Sequence, residues 1–104
     1  MQQIYRQGDV GFLLVQGDMS PGLRKTRKKT RVIRKGEHGG VHAIAEKAKV
    51  DYFTFGGISY VRTFDLPVEI VHNEHKTLVL PPKSLFEVRI QRELQEDREV
   101  YVRD

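Results

Sequence analysis

Residues 85–92 have the sequence Leu-Phe-Glu-Val-Arg-Ile-Gln-Arg, in which apolar and polar side chains alternate. Successive side chains of a β-strand point to opposite faces, so this period of two places Phe86, Val88 and Ile90 together on one face. An amphipathic helix would instead repeat its apolar residues every three or four positions. The segment therefore predicts a half-buried β-strand.

Short segments with the same character recur along the chain on both sides of residues 85–92. The predicted strands cover residues 3–7, 10–16, 30–34, 41–50, 52–55, 58–64, 68–72, 77–80, 85–91 and 100–103. Turn-forming pairs such as Gly8-Asp9, Gly56-Gly57 and Pro81-Pro82 separate most of them. We therefore predict an all-β fold, a small barrel or sandwich of about ten short strands with little or no helix.

Length and composition limit the class of protein. The 104 residues, 38% of them hydrophobic, fit a single β domain over residues 1–104. The absence of cysteine excludes disulfides, thiolate metal sites and a cysteine nucleophile. The N-terminal apolar run, residues 10–15, is too short to cross a bilayer or to form a signal-peptide core. We expect a cytoplasmic protein without a membrane partner.

The positive charge is concentrated in one segment, residues 24–35. It contains eight of the eighteen basic residues and no acidic residue: Arg24, Lys25, Arg27, Lys28, Lys29, Arg31, Arg34 and Lys35. Such a loop or hairpin is typical of a surface that contacts nucleic acid or an acidic protein, but it is equally typical of a solvated surface segment. No aromatic residue is interleaved with the charges, so stacking on nucleic-acid bases is not predicted for this segment.

The four histidines fall into two close pairs, each with a neighbouring glutamate. Histidine and carboxylate are ligands for zinc, nickel, iron and manganese, so the pairs predict a divalent metal site. The candidate ligands are His38, His42, His72, His75, Glu37 and Glu74.

Strand geometry restricts how these side chains can meet. In a regular strand His72 and Glu74 lie on one face and His75 on the other, unless the chain kinks at Asn73-Glu74. The preferred ligand set is accordingly His38, His42 and His72, completed by His75 or Glu74.

Two other interpretations of the histidines remain open. They are also typical of hydrogen-bonded surface residues beside turns. A His72/Glu74 pair for acid–base chemistry is a further alternative, but the sequence contains no nucleophile or oxyanion-hole signature, which argues against an enzyme.

Several short motifs resemble a small, largely uncharacterised family of bacterial and phage proteins of about this length. They are Tyr5–Val10 (Tyr-Arg-Gln-Gly-Asp-Val), Gly36-Glu37 with Gly40 and His42, His72-Asn73-Glu74-His75, Leu80-Pro81-Pro82 and Gln91-Arg92-Glu93. Val41 stands where the family has a first histidine, and Lys83 replaces the glycine after the two prolines. The resemblance implies a phage or mobile-element origin and makes the histidine region the family's characteristic feature, without naming an activity.

A looser similarity connects the pattern with cupins, which are small β-barrels with histidine-rich metal sites. The sequence therefore leaves two candidate functions open. One is a cupin-like metal-binding domain. The other is a non-catalytic binding or assembly module that uses residues 24–35, with exposed sheet edges that favour a homo-oligomer.

Overall fold

A computed structural model describes residues 3–17, 25–36 and 39–90 of the chain. These residues form ten β-strands and no helix, which confirms the predicted all-β class. The strands are β1 (Ile4–Gln7), β2 (Val10–Leu14), β3 (Thr26–Arg27), β4 (Val32–Lys35), β5 (Val41–Ile44), β6 (Val50–Phe55), β7 (Ile58–Thr63), β8 (Val68–His72), β9 (Leu78–Leu80) and β10 (Leu85–Ile90). In these ranges no helix is long and apolar enough to cross a membrane.

The strands form two antiparallel sheets. The larger sheet has six strands in the order β1-β2-β10-β7-β6-β3, and the smaller has four in the order β4-β5-β8-β9. Strand β10, which contains most of the alternating segment 85–92, lies between β2 and β7 inside the larger sheet. Phe86 is fully buried, and Val88 and Ile90 pack beside the core, as their common face predicts.

The hydrophobic core lies between the two sheets. The larger sheet contributes Val10, Phe12, Tyr52, Val61 and Phe86, and the smaller contributes Ile44, Val68, Ile70 and Leu80. Burial of apolar surface of this kind stabilises a fold by about 25 cal/mol per Å². One shared core therefore holds the two sheets together.

The structure differs from the predicted strands in the middle of the chain. The prediction of one strand over residues 41–50 is wrong, because β5 ends at Ile44 and the chain turns at Glu46-Lys47 before β6 begins. A hydrogen bond from Ala48 N to Ala45 O, 3.0 Å long, closes this turn. The turn is needed because β5 and β6 belong to different sheets.

Two other differences concern the ends of the predicted list. The two-residue strand β3 was not predicted, since its single Thr-Arg pair has no alternation to detect; it pairs with β6 through Thr26 and Thr54. The predicted strand at residues 100–103 lies outside the described residues.

The pairing of β5 with β8 positions two histidines. His42 lies directly opposite His72, and Ile44 lies opposite Ile70 two residues further along. Side chains two residues apart share a face, so the histidine pair follows the buried isoleucine pair on the inner face of the smaller sheet. The histidines therefore lie at one end of the core.

Candidate functional site

Three of the four histidines converge at this end of the core. The ring centroid of His42 is 4.3 Å from that of His72 and 6.0 Å from that of His75, and the last two rings are 4.5 Å apart. The β1–β2 turn contributes Gln7 and Asp9 to the same place. We call these five residues the histidine centre.

A bend after β8 brings His75 back towards His72. Strand β8 ends at His72, and the Nδ1 atom of its ring accepts hydrogen bonds from the backbone N–H of Glu74 (2.8 Å) and of His75 (3.1 Å). The chain therefore departs from strand geometry directly after His72, at the place where a kink is needed for His72 and His75 to meet. Asn73 does not take the left-handed conformation there, since the only positive φ at a non-glycine residue of the described ranges is that of Lys83.

The side chain of Gln7 fixes the orientation and the tautomer of His42. Gln7 is 1% exposed, and its amide nitrogen donates to the carbonyl oxygens of Ile70 and Lys76, at 2.8 Å each. The amide oxygen must then face the His42 ring, and it lies 2.8 Å from Nδ1. Nδ1 of His42 is therefore the protonated donor, and in the neutral ring Nε2 has a free lone pair.

That lone pair faces a carboxylate. Nε2 of His42 lies 3.0 Å from Oδ1 of Asp9, whose Oδ2 accepts a hydrogen bond of 2.8 Å from Nε of Arg34. Two acceptors at this distance repel each other unless a positive charge lies between them. The geometry thus calls for a proton or a metal ion at this point.

Burial disfavours a proton on His42 Nε2. The His42 side chain is 3% exposed, and burial lowers its pKa from 6.5, with electrostatic repulsion from the neighbouring His72 and His75 adding to the effect. The Asp9 carboxylate acts in the opposite direction without reversing it. At neutral pH the His42 ring is therefore neutral, with its Nε2 lone pair available.

Two glycines make room for the rings. A Cβ on Gly8 would lie 2.7 Å from Nε2 of His75 and 3.2 Å from Cε1 of His42. A Cβ on Gly40 would lie 2.8 Å from Nε2 of His72. Real Cβ atoms essentially never come within 3.0 Å of another heavy atom, so a side chain at either glycine would require the His75 or the His72 ring to shift.

The structure places the predicted ligands unequally. His42, His72 and His75 come together, whereas the Glu74 side chain is exposed. Glu37 and His38 lie outside the described residues. Within residues 3–17, 25–36 and 39–90 no three or more His, Asp or Glu side chains are already arranged to hold a metal ion.

Sequence reasoning missed Gln7 and Asp9. Gly8-Asp9 was interpreted as a turn only, and the pair does form the β1–β2 turn. What the sequence does not reveal is that this turn, from the larger sheet, lies over β5 and β8 of the smaller one. The contacts join residues more than thirty positions apart, which no local pattern signals.

Much of the basic segment is occupied by contacts within the protein. Lys25 and Arg27 form ion pairs with the buried carboxylate of Asp51, the second at 3.5 Å. Arg31 donates hydrogen bonds of 2.9 and 3.0 Å to the carbonyl oxygens of Ala45 and Ala48. These contacts hold β3 and the chain after it against the sheets.

The remaining cations of the segment differ in their surroundings. Arg34 is paired with Asp9, and the Lys28 ammonium lies 4.7 Å from the centroid of the Tyr52 ring. Lys29 and Lys35 are exposed. Arg24 lies outside the described residues.

Comparison with known proteins identifies a family. The model of a domain of unknown function, DUF8820, matches residues 6–91, which include all of β2 to β10 and the histidine centre. The chain belongs to this family. No curated protein and no solved structure matches it significantly. The DUF8820 description assigns no function, so function has to be inferred from the site itself.

Proposed function

We propose that this DUF8820 domain binds a divalent transition-metal ion at the histidine centre, with His42 Nε2 and Asp9 Oδ1 as the first two ligands. The observation that supports the proposal is the 3.0 Å contact between these atoms, both acceptors when His42 is neutral. A metal ion between them replaces repulsion with two coordinate bonds. The Gln7–His42 hydrogen bond agrees with the proposal, since ligating histidines generally donate their other ring N–H to an oxygen.

The separation of the two atoms suits a shared ion. With bonds of about 2.1 Å to nitrogen and oxygen, the two atoms could reach one ion at their present separation if the angle at the metal were near 90°, whereas the tetrahedral angle typical of zinc would need them about 3.4 Å apart. Imidazole and carboxylate ligands together suit zinc, nickel, iron and manganese, the ions that the histidine pairs predict.

His75 is the best third ligand. Its ring is stacked at an interplanar angle of 16° on that of His42, with the ring centroids 6.0 Å apart, and its side chain is exposed. A rotation is required, because no three side chains of the described ranges already hold the geometry. His72 is less suitable, since its Nδ1 accepts two backbone hydrogen bonds and its Nε2 must then carry the proton.

The test is metal titration of protein purified without an affinity tag, followed by calorimetry and by the absorption spectrum of the Co²⁺ form. We expect one ion per chain at neutral pH and loss of binding towards pH 5, because the metal competes with protons for imidazole nitrogen. We expect at least about tenfold weaker binding in Asp9→Asn and His75→Ala, since each removes one ligand.

Glu74→Gln is the matched control. It removes an exposed carboxylate beside the histidines that the proposal leaves outside the coordination sphere. Equal affinity in wild type, Asp9→Asn and His75→Ala would contradict the proposal, as would the absence of binding at micromolar metal. In the latter case a proton shared by His42 and Asp9 accounts for the contact.

The alternative function, a binding or assembly module that uses residues 24–35, receives less support in its original form. Four cations of this segment already have partners within the protein. Asp51 pairs with Lys25 and Arg27, backbone carbonyls accept hydrogen bonds from Arg31, and Asp9 pairs with Arg34. A segment with these contacts cannot offer all its charges to a polyanion at once.

A further inference from the structure

A small basic cavity lies beside the segment that joins β3 to β4, and its lining contains no residue of the histidine centre. Its volume is about 180 Å³, and Arg27, Lys28, Lys29 and Arg31 line it together with Tyr52. Among the described residues no acidic side chain lines this cavity. Arg27 is already paired with Asp51, but four cations around one small space still favour an anionic ligand.

Two of these cations are held in place before any ligand arrives. The carbonyl oxygens of Ala45 and Ala48 fix the guanidinium of Arg31 at 2.9 and 3.0 Å. The Lys28 ammonium lies over the Tyr52 ring and 3.3 Å from Oγ of Ser59. Arg has five N–H donors and Lys three, so both retain donors for a ligand. Preorganised donors lower the entropy cost of binding.

A hydroxyl adds a neutral donor to the cavity. Oγ1 of Thr30, which also lines the cavity, accepts a hydrogen bond of 3.0 Å from Val32 N. One of its two lone pairs is thus used within the chain, and its O–H proton remains available to donate.

We propose that this cavity binds a single phosphate group through Lys28, Lys29, Thr30 and Arg31. The fit rests on charge, since a phosphate monoester has a charge of about −1.5 to −2 at neutral pH and oxygen acceptors on every side. Tyr52 is only 5% exposed and has Lys28 over its ring, so it offers no face for a base to stack on. The site therefore recognises phosphate and not a base.

The phosphate can belong to a small phosphate monoester or to the backbone of a nucleic acid. The first arm of the test follows amide NMR shifts during titration with inorganic phosphate and a nucleoside monophosphate at constant ionic strength. We expect the shifts to concentrate at residues 27–31 and at Tyr52.

Lys29→Ala and Lys35→Ala form a matched pair for this arm. Both remove one exposed lysine from the same basic segment, but only Lys29 lines the cavity. Loss of one charge-assisted contact weakens binding by about tenfold, and we expect that loss in Lys29→Ala alone. Equal weakening by both substitutions would overturn the proposal, because it would indicate diffuse attraction.

The second arm uses a single-stranded oligonucleotide at several salt concentrations. One phosphate contact, or two, predicts a slope of log affinity against log salt of about −1, whereas eight would give about −6. A slope near −1 supports the site with a backbone phosphate as ligand. Binding of the monophosphate without the oligonucleotide supports it with a small ligand. A slope near −6, or no response to any of the probes, would overturn it.

Discussion

Titratable and charged side chains are concentrated in two regions of the chain, the histidine centre and the basic segment. The two regions differ in how their side chains meet: those of the first converge at one place, and those of the second contact several separate partners. The histidine centre brings together residues from β1, β5, β8 and the turns beside them, so that five side chains meet at one end of the core. The basic segment contains neighbours in sequence, yet they contact Asp51, Asp9 and the carbonyls near Ala45 at separate places.

The comparison shows that residues close together in the sequence can contact different partners, whereas residues far apart in the sequence can meet at one place. The described cations of the basic segment lie on or beside two strands of different sheets and on the connection between them, so they reach different partners although residues 27–31 line one cavity. Residues opposite each other on paired strands have Cβ atoms about 5 Å apart, whatever their distance in sequence. His42 and His72 meet for this reason, and a cluster of charges in the sequence is not by itself a site.

The largest expected effect comes from Gln7→Leu, which tests whether the histidine centre also stabilises the contact between the two sheets. The substitution removes the partner of Ile70 O and of His42 Nδ1 in buried hydrogen bonds and that of Lys76 O in a partly buried one. Unpaired buried polar groups cost about 1–3 kcal/mol each, so we expect a loss of about 3 kcal/mol in the free energy of unfolding. Urea denaturation measures it.

Gln16→Leu is the control for this change, because Gln16 is an exposed glutamine two residues after the end of β2. It should change the free energy of unfolding by less than about 0.5 kcal/mol. If the two substitutions have equal effects, the bridge between the sheets through Gln7 contributes nothing.

A smaller effect is expected from Asp51→Asn in the basic segment. Asp51 is 8% exposed, but its partners Lys25 and Arg27 are 42% and 77% exposed, so solvent screens the attraction. We expect a loss of about 1 kcal/mol that shrinks as salt rises. Denaturation at low and high salt measures it, with the exposed Asp65→Asn as control. A loss that does not change with salt would show that the carboxylate acts through packing and not charge.

The smallest effect is the pH dependence of stability in protein kept free of metal by a chelator. Burial lowers the pKa of His42 from 6.5, so the folded protein binds the proton less readily than the unfolded chain. The unfolded state then binds more protons as the pH falls below 6.5, and the stability present above that pH declines. Urea midpoints between pH 7.5 and pH 5.5 measure this.

The variants that sharpen this prediction are His42→Gln and His75→Ala. The first should flatten the decline, because it removes the buried titrating ring. The second should leave the decline in place, since the His75 side chain is exposed. An unchanged decline in His42→Gln would assign the pH dependence to other groups.

The sequence by itself determined the strands whose side chains alternate. Residues 85–92 and 68–72 were predicted as strands because one face of each had to be apolar, and that pattern is local. The segment 41–50 was misjudged because its three alanines and its charges do not mark where the chain passes from one sheet to the other. The sequence also singled out the histidines as a group, on residue type and spacing alone.

Only the tertiary structure decided which residues accompany those histidines. Asp9 and Gln7 join them because the β1–β2 turn of one sheet lies over β5 and β8 of the other, an arrangement set by strand order and shared burial. The engagement of the basic residues with Asp51 and with backbone carbonyls was decided in the same way. Alternation along a strand is fixed by backbone geometry within a few residues, whereas convergence depends on how distant strands pair and pack.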